Sequence, residues 1–128
     1  METKITPAEH TRGTTFELTV WVWKNGSLMD LTPSTIKVYF NICTINSDGS
    51  LTPSANHARA TGSADVTQSA AGLITVALAP EYTKRGGAYA LIKDDYWVEV
   101  DVVDEAPAPD KRWAVCRMPL KMLAGANE

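Results

Sequence analysis

Apolar and polar residues alternate with period two over most of this chain, and a 3.6-residue period is nearly absent. In TFELTVWVW (15–23), Phe16, Leu18, Val20 and Val22 fall on one side of an extended strand. Glu17, Thr19, Trp21 and Trp23 fall on the other, because successive side chains of a strand point to opposite faces. KNGS follows, and Asn25-Gly26 supplies the positive φ values of a tight hairpin turn. A second alternating run, TIKVYFNICTI (35–45), sets Ile36, Val38, Phe40 and Ile42 against Lys37, Tyr39, Asn41 and Cys43, and NSDGS closes it with a turn. GLITVAL (72–78) and YWVEVDVVD (96–104) are further strands. EAPAPDK turns the latter back into RWAVCRM (112–118), and Pro119 is expected to end that strand or place it at an edge. Between Leu51 and Ala71 large apolar residues are scarce, which predicts a long connection with weak edge strands near 57–61 and 64–68. One helical turn is expected in PEYTKRGG (80–87), where Pro80 suits a first-turn position and Gly86-Gly87 a stop.

About seven short strands with turn signals every 8–15 residues predict an all-β, Ig-like antiparallel β-sandwich in a single domain. Residues 1–11 read as a flexible or partner-bound N-terminal arm, 12–123 as the sandwich, and 124–128 as a C-terminal tail.

The alternation leaves one excess, which is aromatic. With Tyr96, Val98, Val100 and Val102 turned inward, Trp97 lies outside with Glu99 and Asp101. Strict alternation along 112–118 groups Trp113, Val115 and Arg117 on one face and Ala114, Cys116 and Met118 on the other. All four tryptophans are then candidates for a face outside the core. Trp21, Trp23, Tyr39, Trp97, Trp113 and Arg117 are of the types that anchor protein interfaces, and they form the candidate contact surface. Two other readings stay open: a segment of this chain covers the face as a second small core, or the rings stack on sugars.

Charge and composition narrow the partners. Twelve Lys and Arg against fifteen Asp and Glu give a net charge of −3, and the basic residues are scattered, which disfavours nucleic acid. No apolar run approaches the ~20 residues a bilayer needs, and the N-terminus lacks the apolar stretch of a secretory leader, so neither membrane nor secretion is expected. Cys43 and Cys116 sit in predicted strands and are expected to be free, buried and structural. His10 and His57 have no ligand at metal spacing, and no nucleophile elbow, phosphate loop or dinucleotide motif occurs. Glu99 and Asp101 share a strand face and could form an acid/base or Ca²⁺-binding pair, but the loop lacks a calcium pattern, and a solvated strand face accounts for them. The sequence therefore predicts no catalytic residues, no metal, no cofactor and no enzyme.

Several stretches taken in order are similar to a known family. RGTTFELTVWVWKNGSLMDLTPSTIKVYF resembles the opening of N-terminal domains of the baseplate upper protein (BppU-like) family and related Ig-like tail modules of bacteriophages. The matching positions are Gly13, Phe16, Gly26, Asp30, Leu31 and Thr32. GLITVALAPEYT resembles the family's strand and following turn through Gly72, Leu78, Pro80, Glu81 and Thr83. The resemblance implies a non-enzymatic virion protein of the tail or baseplate, made in the host cytoplasm. It also implies contact with other virion structural proteins and a homo-oligomer in the assembled particle. Capsid decoration and carbohydrate binding are the alternative roles.

Overall fold

The computed structural model describes residues 8–53, 64–85 and 94–126. Among these, the strands are β1 (Ala8–Thr11), β2 (Phe16–Trp21), β3 (Trp23–Lys24), β4 (Ser27–Leu28), β5 (Ile36–Ile45), β6 (Leu51–Pro53), β7 (Asp65–Gln68), β8 (Leu73–Leu78), β9 (Asp95–Asp104) and β10 (Lys111–Leu123). A single 3₁₀ turn at Pro80–Tyr82 is the helical element among the described residues. A five-stranded sheet has the order β1-β10-β9-β5-β6, a three-stranded sheet the order β2-β8-β7, and β3-β4 form a separate hairpin. The expected all-β, sandwich-like single domain is the architecture observed.

The core is made by the inward rows of the two larger sheets. Phe16 and Val20 of β2 and Ile74, Val76 and Leu78 of β8 meet Phe40 and Ile42 of β5, Tyr96, Val98, Val100 and Val102 of β9, and Leu120 and Met122 of β10; all are buried. Phe16 and Phe40 stack across the layers with centroids 6.1 Å apart. Each such side chain contributes about 1.5–3 kcal/mol through removal from water, so this alternation is what holds the two layers together.

Three local features differ from the expected strands. Val22 interrupts the first strand: β2 ends at Trp21, and Val22 turns into the core at 4% exposure before β3 begins. In β10 the pairing passes from Ala114↔Asp101 to Cys116↔Val100, leaving Val115 as the extra residue of a bulge. A bulge reverses which residues face inward on one side of it. The expected grouping of Trp113 with Arg117 is therefore corrected. Trp113 pairs with Val102 and faces the core side with Cys116, Met118 and Leu120, while Arg112, Ala114 and Arg117 face outward. Pro119 does not end β10, which continues to Leu123, but it lies at an edge position as the other expectation had it: among the described residues β10 has a partner there on the β9 side alone. Along its last residues β10 gains a parallel partner in β1, with Ala8 opposite Leu120 and Thr11 opposite Leu123, so residues 8–11 of the expected arm belong to the sheet.

The resembling motifs occupy structural positions and partly meet in space. Gly13, at φ +77°, donates its N–H to Thr83 Oγ1 at 3.1 Å, and the buried Thr83 hydroxyl lies 2.9 Å from the Thr14 carbonyl. Asp30 Oδ1 accepts the N–H of Thr32 at 2.9 Å, and Leu31 is fully buried. Beside this junction Arg12 is buried with its guanidinium 3.0 Å from Asp94. The expected weak strand near 64–68 is β7; the one near 57–61, His57 and Gly86-Gly87 lie outside the described residues. Cys43 and Cys116 are free thiols.

Candidate interaction surfaces

The six candidate residues separate into two patches. The first forms where the β3-β4 hairpin meets β10. Asn25 (φ +53°) and Gly26 (φ +81°) close the hairpin as their sequence signal requires. Its base is clamped by Val22, whose N–H donates to the Gly72 carbonyl (2.7 Å) and whose carbonyl accepts from the Met29 N–H (2.9 Å). The clamp needs a glycine at 72: its φ is +76°, and a Cβ there would lie 2.9 Å from the Val22 oxygen. With Val22 fixed inward, Trp21 and Trp23 are displayed outward, 49% and 57% exposed.

These rings border a cleft of about 180 Å³, closed on the far side by Trp113, Ala114 and Val115 and lined also by Val22, Lys24 and Met29. Lys24 lays its ammonium 4.7 Å from the centre of the Trp113 ring, a cation–π contact across the cleft. Lys24 is the single charged residue in this lining. Trp113 thus packs against the core with one side and offers the other to the cleft. Strand edges flank the cleft. Among the described residues β2 pairs with β8 alone, and β1 pairs with β10 only from Leu120 to Leu123.

The second patch is the outer face of the large sheet. Register places Lys37, Val103 and Arg112 in one row, then Tyr39, Asp101 and Ala114, then Asn41, Glu99 and Arg117, then Cys43, Trp97 and Pro119. Arg112 donates from Nε to Asp101 Oδ2 at 2.8 Å and stacks over Tyr39 at 5.2 Å. Arg117 Nε lies 3.5 Å from Glu99 Oε2. Trp97 is half-buried at a shallow depression of about 400 Å³ shared with Ile45, Pro119 and Lys121.

This face is less solvated than its charges predict. Asp101 is only 6% exposed, and its Oδ1 is buried without a hydrogen-bond donor. Burial first, then the hydrogen bond and negative charge of Asp101, push the Glu99 carboxyl above the usual carboxylate range, against the pull of Arg117 and Arg112. Burial, then Glu99 and Asp101, push the Cys43 thiol up to about 11, and burial pushes Cys116 up as well. Both thiols are un-ionised at neutral pH and therefore poor nucleophiles.

Sequence reasoning named Trp21, Trp23 and Trp113, which the fold brings together, and Tyr39, Trp97 and Arg117, which lie on the separate outer face. It missed Lys24 and Met29 of the cleft and Arg112 beside Tyr39; Val115 it grouped with Trp113 without naming it as a contact residue. Lys24 directly follows Trp23 and could have been included; the bulge that separates Trp113 from the face of Arg117 leaves no signal in the alternation. Among the described residues no group of three or more His, Cys, Asp or Glu is placed to hold a metal ion, and no helix is long and apolar enough to cross a membrane. Compared with known proteins, the chain matches no protein-family model, and no curated protein is significantly similar to it in sequence.

Proposed function

We propose that this chain is a non-enzymatic structural protein of a bacteriophage particle, an assembly module of the tail or baseplate that binds other virion proteins and acts in several copies. The observation that carries the interface reading is the tryptophan cleft. Two large rings stand half out of water beside a third, Trp21 at the end of β2 and Trp23 on the hairpin that the Val22 main-chain clamp holds in place. A protein interface is the ordinary reason for such a patch, since its anchor residues are aromatic and sit in a preformed depression. Stacking on sugar is less well supported, because Lys24 is the lone charged side chain lining the cleft and hydroxyl recognition needs several convergent polar groups. The particle assignment is supported by the ordered motifs that resemble BppU-like tail modules, whose Gly13 and Thr83 positions are joined by a hydrogen bond here.

The test is incorporation. Particles purified on a density gradient from a producing culture should contain the chain in a fixed ratio to other virion proteins. A Trp21→Ser/Trp23→Ser variant should fold but be left out of them. Particles lacking the wild-type chain would refute the proposal.

A further inference from the structure

We infer that the cleft receives an extended, acidic segment of a partner protein, which adds as a strand to the edge of β2 that is unpaired among the described residues; this rests on the interface reading above and specifies its mode. An unpaired strand edge is a ready template for another chain. β2 suits this better than β10, since Phe16–Trp21 is regular and free of proline, whereas β10 is bulged at Val115 and carries Pro119. The edge leads to the cleft, because Trp21 is the last residue of β2 and the first wall of the depression. A segment paired along β2 therefore delivers its end to the tryptophans.

Charge complementarity selects the segment's chemistry. The cleft is apolar apart from Lys24, whose ammonium lies over Trp113 and has no carboxylate among the residues lining the cleft. A bulky apolar side chain between Trp21 and Trp113, with an aspartate or glutamate nearby, would fill the depression and pair with that ammonium. The other end of β2 presents Glu17, which faces outward beside Ala77 and, one strand further, Asp65. An acidic residue of the segment thus belongs at the Trp21 end and is disfavoured at the Phe16 end.

Selection of a displayed library of random twelve-residue peptides on the purified full chain tests this. The expected winners carry Asp or Glu within two residues of a large apolar residue. Selection on Lys24→Glu should replace that acid with Lys or Arg. In a synthetic winner, N-methylation of every second amide should weaken binding tenfold or more, with little effect at the amides between, because only alternate amides of a strand face its partner. Winners that ignore the Lys24→Glu exchange, or an N-methylation pattern without period two, would overturn the inference. So would a failure to enrich any peptide together with a concentration-dependent dimer lost in Trp23→Ala, which assigns the cleft to a second copy. In any of these cases normal incorporation into particles would leave the interface reading standing, and failed incorporation would remove both.

Discussion

Substituting Trp23 and Trp113 separately distinguishes a displayed ring from a structural one. Trp23 is 57% exposed, so folding removes somewhat under half of its surface from water. A tryptophan side chain buries at most about 250 Å², so the share at stake is ~110 Å², or about 2.7 kcal/mol at ~25 cal/mol per Å². The alanine methyl and the compactness of the unfolded chain reduce this to about 1–2 kcal/mol for Trp23→Ala. Trp113 packs against the core and under the Lys24 ammonium. Its loss should approach the ~3–5 kcal/mol of a core aromatic truncation. Urea unfolding of both variants, followed by circular dichroism, reads these as shifts in midpoint at nearly constant slope. Trp23→Ala should remain folded at neutral pH yet lose partner binding. A Trp23→Ala cost equal to or above that of Trp113→Ala would refute the reasoning, since the ring would then be core and the cleft a covered seam.

Three further outcomes follow from the same geometry. Gly72→Ala should destabilise the fold by roughly 2 kcal/mol or more, because its backbone is left-handed and the new Cβ collides with the Val22 carbonyl; thermal melting checks this, and a change below half of that value would contradict the clamp. The raised pKa of Glu99 means the folded state binds its proton more tightly than the unfolded chain. The associated stability is present below the ordinary carboxyl range and is lost as pH rises through the raised value. Glu99→Gln, which removes the carboxylate charge from this buried face, should thus be more stable than wild type at pH 7, with the gap closing toward pH 4.5 in melting curves. Both thiols should react slowly with Ellman's reagent in the native protein at pH 7.5 and rapidly in guanidinium, because burial holds both above their ordinary range, Cys43 at about 11; fast native labelling of Cys43 would contradict its environment.

Much of the sandwich was legible because its strands are buried on one face, where a period-two pattern leaves little freedom of register. Phe16, Val20, Phe40, Val98 and Val100 are all where alternation puts them. The turn at Asn25-Gly26 was legible for a different reason, a backbone conformation that few residues adopt. Trp113 was misplaced because one inserted residue, Val115, reverses the faces of β10, and a bulge is decided by pairing rather than by local composition. The burial of Asp101 was illegible for a related reason. Its neighbours Tyr39, Ala114 and Arg112 come from other strands, and register alone brings them together. For the cleft, the sequence showed two unexplained tryptophans on a polar face. It could not show that the end of β2 and the hairpin after it would bring them to a third.

Under the proposed function, another protein occupies the cleft in an assembled particle. Electron cryomicroscopy of intact particles containing this chain tests it most directly. Density from a neighbouring chain should lie packed between Trp21, Trp23 and Trp113, and solvent at those three rings in every copy would contradict the proposal.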